Sequence, residues 1–105
     1  MYTLFQVNRE IMHLVDTVHF ELLIECLNEN FEQKHTNESF FWEEKDVIIN
    51  FEKRKGIIFL VLNWTGEGRE SKNKYLKTND KIKRIVEKTK EMTKIRNKNH
   101  NVFWC

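Results

Sequence analysis

The stretch from residue 57 to residue 62 reads Ile57-Ile58-Phe59-Leu60-Val61-Leu62 and is the longest apolar run in the chain. Its composition predicts a strand that is central in a sheet or covered on both faces. Two shorter runs of aromatic and β-branched residues precede it, Phe40-Phe41-Trp42 and Val47-Ile48-Ile49-Asn50-Phe51. Polar turns at residues 44–46 and 53–56 separate the three runs, and Gly56 can adopt a positive φ in the second turn. The sequence therefore predicts a three-stranded antiparallel β-meander.

A long N-terminal helix is predicted ahead of these strands. Apolar residues recur at helical spacing from Leu4 to Leu27, and Thr3 followed by Gln6 matches a capping box. The helix is expected to end near Asn30. An alternative makes residues 2–7 a short strand and begins the helix at Asn8, because aromatic residues and valine also favour sheets.

A polar loop and a second helix are predicted after the strands. The loop covers residues 65–77, Thr78 or Asn79 caps the helix, and the helix runs to about Asn97. The last four residues, Val102-Phe103-Trp104-Cys105, are expected to dock on the core as a short strand or plug, or else on a partner. The predicted fold is a single α+β domain over residues 1–105 with the order αβββα.

The composition is typical of a folded domain, with 40% hydrophobic and 32% charged residues. No apolar run approaches the roughly 20 residues that span a bilayer, and residues 1–10 lack the pattern of a signal peptide. A cytoplasmic protein in a host cell, without membrane contact, is therefore expected. The absence of alanine and proline and the abundance of lysine, asparagine, isoleucine and phenylalanine indicate AT-rich coding, as in low-GC bacteria, their phages and some viruses.

Charge divides the chain into two halves. Residues 1–52 carry 3 basic and 11 acidic residues, a net charge of −8, whereas residues 53–105 carry 15 basic and 5 acidic residues, a net charge of +10. The plainest interpretation is that these charges form the solvated faces of amphipathic helices, or that the two halves attract each other across the fold. A binding role requires that one of the patches stays unpaired on the surface.

The first functional hypothesis uses the acidic half. An acidic ridge can imitate a phosphate backbone toward a basic protein groove, so a host or defence-system protein is the expected partner. Small size, AT-rich coding and polarised charge are typical of inhibitors or adaptors from phages and mobile elements, among them anti-defence proteins such as anti-CRISPRs. Six residues make up this predicted partner-binding ridge: Glu21, Glu25, Glu29, Glu32, Glu43 and Glu44.

The alternative is nucleic-acid binding by the basic half, with monomeric and homodimeric states both open. The residues expected to contact phosphates are Arg69, Lys72, Lys74, Lys77, Lys81, Arg84 and Lys88. A Gly-rich turn at Gly66 and Gly68, followed by Ser71 and lysines before the second helix, is similar to the double-stranded-RNA-binding domain, and that resemblance implies phosphate contacts by the lysine cluster. The resemblance covers about a dozen residues. The lysine spacing differs by one, the small Ala-rich helix face is absent, and the first predicted helix is longer than in that family.

No catalytic or metal-binding motif is predicted, and no cofactor is expected. The segment from Gly66 to Lys72 lacks the second glycine and the Lys-Ser/Thr pair of a Walker motif. His13, His19 and Cys26 are six and seven residues apart, whereas ligands on one helix face require separations of three or four. A small ribonuclease using His100 and Glu67 stays open as an enzymatic alternative, although Arg96 to His100 is one residue shorter than the Arg-x4-His spacing.

Overall fold

The computed structural model describes the backbone of residues 9–103 and the side chains of residues 9–95. Within this range the chain forms one antiparallel sheet with the strand order β1-β5-β4-β3-β2. The elements follow in the order β1 (Glu10–Leu14), α1 (Phe20–Asn30), β2 (Glu32–His35), β3 (Phe40–Glu44), β4 (Val47–Arg54), β5 (Ile57–Trp64) and α2 (Gly68–Phe103).

Strands β2 to β5 follow one another as hairpins. The β4–β5 hairpin pairs Arg54 with Ile57, so its loop is only Lys55-Gly56. Both loop residues have positive φ, 52° and 80°, which is the backbone of the two-residue type I′ turn that matches strand twist. The strands predicted at residues 40–42, 47–51 and 57–62 lie within β3, β4 and β5. The predicted three-stranded meander is nevertheless wrong, because β1 and β2 extend the sheet on either side.

Strand β1 occupies the sheet edge beside β5, where the sequence predicted the middle of a long helix. Ile11 pairs with Leu62 and His13 pairs with Leu60, and a backbone bond from Trp64 N–H to the Arg9 carbonyl continues the pairing. The unpaired edge of β5 thus overrides the helical spacing of residues 11–18. The long N-terminal helix is therefore wrong, and α1 begins only at Phe20. The predicted cap at Thr3 and the alternative strand at residues 2–7 lie outside the described residues.

Both helices pack on one face of the sheet and enclose the core. Trp42 of β3 lies at its centre, fully buried, and its indole Nε1 donates a 2.8 Å hydrogen bond to Oδ1 of Asn28 on α1. Phe51 of β4 lies between Trp42 and Phe20, with ring centroids 5.8 and 5.0 Å away. The Thr93 hydroxyl of α2 accepts a 2.8 Å bond from the backbone N–H of His19 before α1. The two helices are therefore fixed to the sheet and to each other.

Helix α2 begins at Gly68, ten residues before the predicted cap at Thr78. The predicted loop over residues 65–77 and the predicted helix start are therefore wrong. Among the described side chains of α2, half of the buried ones are polar, so the stripe toward the core was hidden from a search for apolar residues. The buried residues of α2 are Ser71, Tyr75, Thr78, Ile82, Ile85, Val86, Thr89 and Thr93.

The end of α2 corrects one further prediction. Val102 and Phe103 lie within the helix, so they form no strand. Trp104, Cys105 and the predicted docking of this tail lie outside the described residues. The observed order is βαββββα instead of αβββα.

Tyr75 provides a test of this packing. Its ring stacks on Trp64 with centroids 5.7 Å apart, while its buried hydroxyl has no hydrogen-bond partner among the described residues. Burial raises the pKa of this hydroxyl above its ordinary value of 10, with a smaller contribution from Glu10. The Tyr75 hydroxyl therefore ionises more easily in the unfolded chain than in the folded one. Its contribution to the free energy of unfolding is complete below pH 10 and falls as pH rises above that value.

We expect Tyr75→Phe to keep the stack and remove the unpartnered hydroxyl. The free energy of unfolding at pH 7 should stay equal or rise by about 1 kcal/mol, and its decline above pH ~10 should become smaller. Urea unfolding at pH 7 and at alkaline pH measures both effects. A loss of more than about 2 kcal/mol at pH 7 would show that the hydroxyl has a partner.

Candidate functional site

Five basic residues form a row along one side of α2, here called the basic row. The residues are Lys74, Lys77, Lys81, Arg84 and Lys88, which follow at alternating steps of three and four. Such steps place side chains above one another on a helix, and the row extends over about 21 Å at a rise of ~1.5 Å per residue. The buried stripe of α2 fixes its direction, because Thr78, Ile82 and Ile85 point into the core beside the row.

The basic row borders a groove whose other wall is the β3–β4 turn. Two adjoining cavities of about 460 and 320 Å³ lie here, and both are lined by Glu44, Lys77 and Thr78. Lys45 and Lys74 complete the smaller cavity, whereas Lys81 and Arg84 line the larger one together with Asp80. The groove therefore has cations on both walls.

The charges of the basic row are not neutralised within the described part of the chain. The four salt bridges among residues 9–95 use only Lys34 and Arg54 as cations. Nζ of Lys81 lies 4.9 Å from the ring centroid of Phe31. This cation–π contact positions the ammonium group but gives it no anionic partner. The row therefore presents to solvent five cations without salt-bridge partners in the described region, and the carboxylates of Glu44 and Asp80 line the same groove.

The structure separates the seven basic residues predicted for nucleic-acid binding. Five form the basic row, but Lys72 lies on the opposite side of α2, and Arg69 is exposed in its first turn. On the helix, Lys72 shares its side with Lys83, Lys90 and Lys94. Lys45 joins the groove although it belongs to the acidic half of the sequence. The 3.6-residue period of an α-helix identifies the complete row from the sequence once α2 is known to begin at Gly68.

The Gly-rich segment before α2 has a structural role. Ser71 is buried, accepts a 2.8 Å bond from the indole Nε1 of Trp64 and donates a 2.8 Å bond to Oδ2 of Asp46. A Cβ on Gly66 would collide with the Ser71 hydroxyl and the Asp46 carboxylate. This segment therefore anchors the start of α2. The similarity to the double-stranded-RNA-binding domain fails in its element order, because β1 precedes α1 and five strands replace three.

The six acidic residues predicted as one ridge lie in three places. Glu21, Glu25 and Glu29 follow at four-residue steps and are exposed on α1. Glu32 and Glu43 pair across β2 and β3 on the sheet face away from the helices, where Lys34 lies 3.9 and 3.5 Å from their carboxylates. Glu44 lines the groove beside the basic row.

The remaining candidate residues form no metal-binding cluster in the described region. Nε2 of His13 and Oδ1 of Asn79 are 2.7 Å apart, which connects β1 to α2. Across residues 9–95, no three histidine, cysteine, aspartate or glutamate side chains lie close enough to hold a metal ion. Glu67 is exposed before α2, and the side chains of Arg96 and His100 lie outside the described residues.

Comparison with protein-family models, curated proteins and solved structures found no match to this chain. Neither α1 nor α2, over the residues described, combines the length and apolar character that a membrane span requires.

Ser71 tests the anchor at the start of α2. Ser71→Ala leaves the buried Trp64 N–H without an acceptor, so we expect the free energy of unfolding to fall by about 1–3 kcal/mol. Asn73→Ala, on the exposed side of the same turn, should change it by less than about 0.5 kcal/mol. Urea unfolding compares the two variants, and equal stabilities would contradict the anchoring role.

Proposed function

We propose that this chain is a small nucleic-acid-binding protein and that the basic row on α2 contacts the phosphate backbone. The supporting observation is the unpaired positive row, which spans about four turns of one rigid helix and faces Lys45 across a groove. Binding, rather than catalysis, is the proposed activity.

Phosphate contacts give such a surface its affinity. Each lysine or arginine that neutralises a phosphate releases condensed counterions, and that release drives binding at low salt. Successive members of the row are about 4.5 or 6 Å apart along the helix axis, so several of them can reach successive phosphates. The cation on Lys45 lets the backbone be held from both walls of the groove.

Phosphate contacts carry no sequence information, since sequence is recognised at base edges. Besides its cations, the groove offers the Glu44 and Asp80 carboxylates and the buried Thr78 hydroxyl for contacts to base edges. The proposal is therefore binding with weak sequence preference in the host-cell cytoplasm. Affinity should depend steeply on salt.

The test compares two triple variants that remove the same charge. Lys74→Gln, Lys77→Gln and Arg84→Gln together remove three cations of the basic row and spare Lys81, which contacts Phe31. The slope of log affinity against log salt for a short duplex should decrease by about 2–3, or ~0.9 for each lost contact.

The matched control removes three cations from the other side of α2, through Lys83→Gln, Lys90→Gln and Lys94→Gln. Its slope should decrease by less than about 1, because these side chains face away from the groove. Equal slopes for the two variants would reject the groove as the binding site. No binding by the unmodified chain at low salt would reject the function itself.

A second candidate function is occlusion of a partner protein by the acidic side of α1. The favouring observation is that Glu21, Glu25 and Glu29 are exposed on successive turns and take part in no salt bridge of the described region. Such a stripe can face a basic groove on a host or defence-system protein, as expected of an anti-defence inhibitor or adaptor from a phage or mobile element.

This candidate is tested by changing all three α1 glutamates to glutamine. The matched control changes Glu70, Glu87 and Glu91, which are exposed on α2. Affinity capture should recover a partner with the unmodified chain and with the control, and lose it with the α1 variant. Recovery of the same proteins by all three would remove the α1 stripe as the contact.

A further inference from the structure

The sheet has a second face, opposite the two helices, and no described helix lies on it. Paired residues of antiparallel strands point to the same side, so the register identifies the side chains of this face. The apolar ones are Met12, Leu14, Phe41, Ile48, Ile57, Phe59 and Val61. Leu14 and Ile57 are 48% and 41% exposed.

A charge bridge covers one end of this face. The Arg54 guanidinium, from β4, bonds Glu52 on β4 and Glu10 on β1, at 2.7 and 2.8 Å, and its Nη1 lies 3.4 Å from the Met12 sulfur. Because β5 lies between β4 and β1, the Arg54 side chain has to pass above β5 to reach Glu10 and Met12 on β1. This bridge explains why Val61 is fully buried on a face without helices.

The other end of the face is an uncovered groove of about 570 Å³ between β3, β4 and β5. Its apolar lining residues are Phe41 and Ile48 from this face and Phe40 and Phe51, whose rings pack against Trp42. Asn50 and Asn63 line it as well. Glu38 and Ser39, in and after the β2–β3 turn, border it. The groove lies on the side of the sheet away from the basic row.

The two asparagines are the unusual feature of this groove. Asparagine is disfavoured in strands, yet Asn50 and Asn63 occupy half-buried positions in the two longest ones, β4 and β5. Their own bonds are long, 3.5 Å from Asn63 Nδ2 to Asn50 Oδ1 and 3.4 Å from Asn50 Nδ2 to the Phe51 carbonyl. Bonds of this length contribute little, so the amides retain capacity for a ligand.

The charges beside the groove select the ligand. On the β2–β3 hairpin, Glu38 lines the groove, while Glu32 and Glu43 lie 3.9 and 3.5 Å from Lys34, the hairpin's one lysine. These three carboxylates and one cation have a net charge of −2. This border repels phosphates and attracts cations, while the groove favours an apolar group. An amide that lies in an apolar groove pairs well with a peptide group, which offers both a donor and an acceptor.

We propose that this groove binds a segment of a partner protein in which an apolar side chain is flanked by lysine or arginine. The apolar side chain packs on Phe41 and Ile48, the peptide backbone bonds Asn50 and Asn63, and the flanking cations face Glu38 and Glu43. This surface is independent of the nucleic-acid function proposed for α2.

The test uses two synthetic seven-residue peptides, one alternating lysine with leucine and one alternating glutamate with leucine. Titration of the full, isotope-labelled chain by NMR should shift the amide signals of Phe41, Ile48, Asn50 and Asn63 with the lysine peptide. The glutamate peptide should bind at least tenfold more weakly. Equal affinity for both peptides, or shifts confined to α1 and α2, would overturn the proposal, as would the absence of shifts at millimolar peptide.

Matched variants locate the site. Ile48→Lys places a cation in the groove and should reduce affinity for the lysine peptide more than tenfold, whereas Ile57→Lys, exposed at the far end of the same face, should leave it within twofold. Asn50→Leu keeps an uncharged side chain of similar size and should reduce affinity about tenfold through lost hydrogen bonds. Equal effects of Ile48→Lys and Ile57→Lys would contradict the assignment. A concentration-dependent dimer that Ile48→Lys dissociates would assign the groove to a second copy of the chain instead.

Discussion

The contacts of Trp64 determine how α2 is rotated about its own axis, and the position of every charge on α2 depends on that rotation. The Trp64 indole bonds Ser71, Ser71 bonds Asp46, and the Trp64 ring stacks on Tyr75 one turn later. Arg9 binds at the same place, with its guanidinium 4.3 Å from the Trp64 ring and a hydrogen bond to the Trp64 carbonyl. The entry into β1, the end of β5 and the start of α2 therefore meet at one residue.

The charge division of the sequence survives folding. Among the described basic side chains of residues 53–95, only Arg54 forms salt bridges with residues 9–52. Its partners there are Glu10 and Glu52. The two halves therefore do not neutralise each other across the core. Hydrogen bonds to Glu10 and Glu52 raise the pKa of Arg54 above its ordinary value. The charges of the basic row stay without salt-bridge partners in the described part of the chain.

The sequence indicated three of the five strands, because the runs in β3, β4 and β5 are rich in aromatic and β-branched residues. It could not indicate β2, whose residues Glu32-Gln33-Lys34-His35 have no strand preference and extend because β3 offers an edge. The apolar residues of segment 11–18 fit helical spacing. The same segment also fits a strand, because every second residue, Ile11, His13 and Val15, faces the core. The choice between the two depends on the free edge of β5, which local sequence does not reveal.

The candidate site was predictable in part: the helical period groups Lys81, Arg84 and Lys88 on one side, but not their continuation through Lys77 and Lys74. Sequence selected the lysines and arginines of α2 by charge, and five of the seven form the basic row. Their grouping depends on where α2 begins, and that start was missed because Ser71 and Thr78 make the buried stripe look like a loop. Lys45 was missed because it is distant in sequence and enters the groove only through the β3–β4 turn. The predicted acidic ridge was divided because its members lie on α1, on the sheet face away from the helices and in the groove beside the basic row.

The most direct measurement is an NMR titration of the labelled chain with a short duplex at low salt. The proposed binding surface predicts that the shifted amide signals are those of the basic row, Lys74 to Lys88, together with Lys45 in the β3–β4 turn. Shifts centred on Lys83, Lys90 and Lys94, on the opposite side of α2, would contradict it. An unchanged spectrum would show that the groove beside the basic row does not bind nucleic acid.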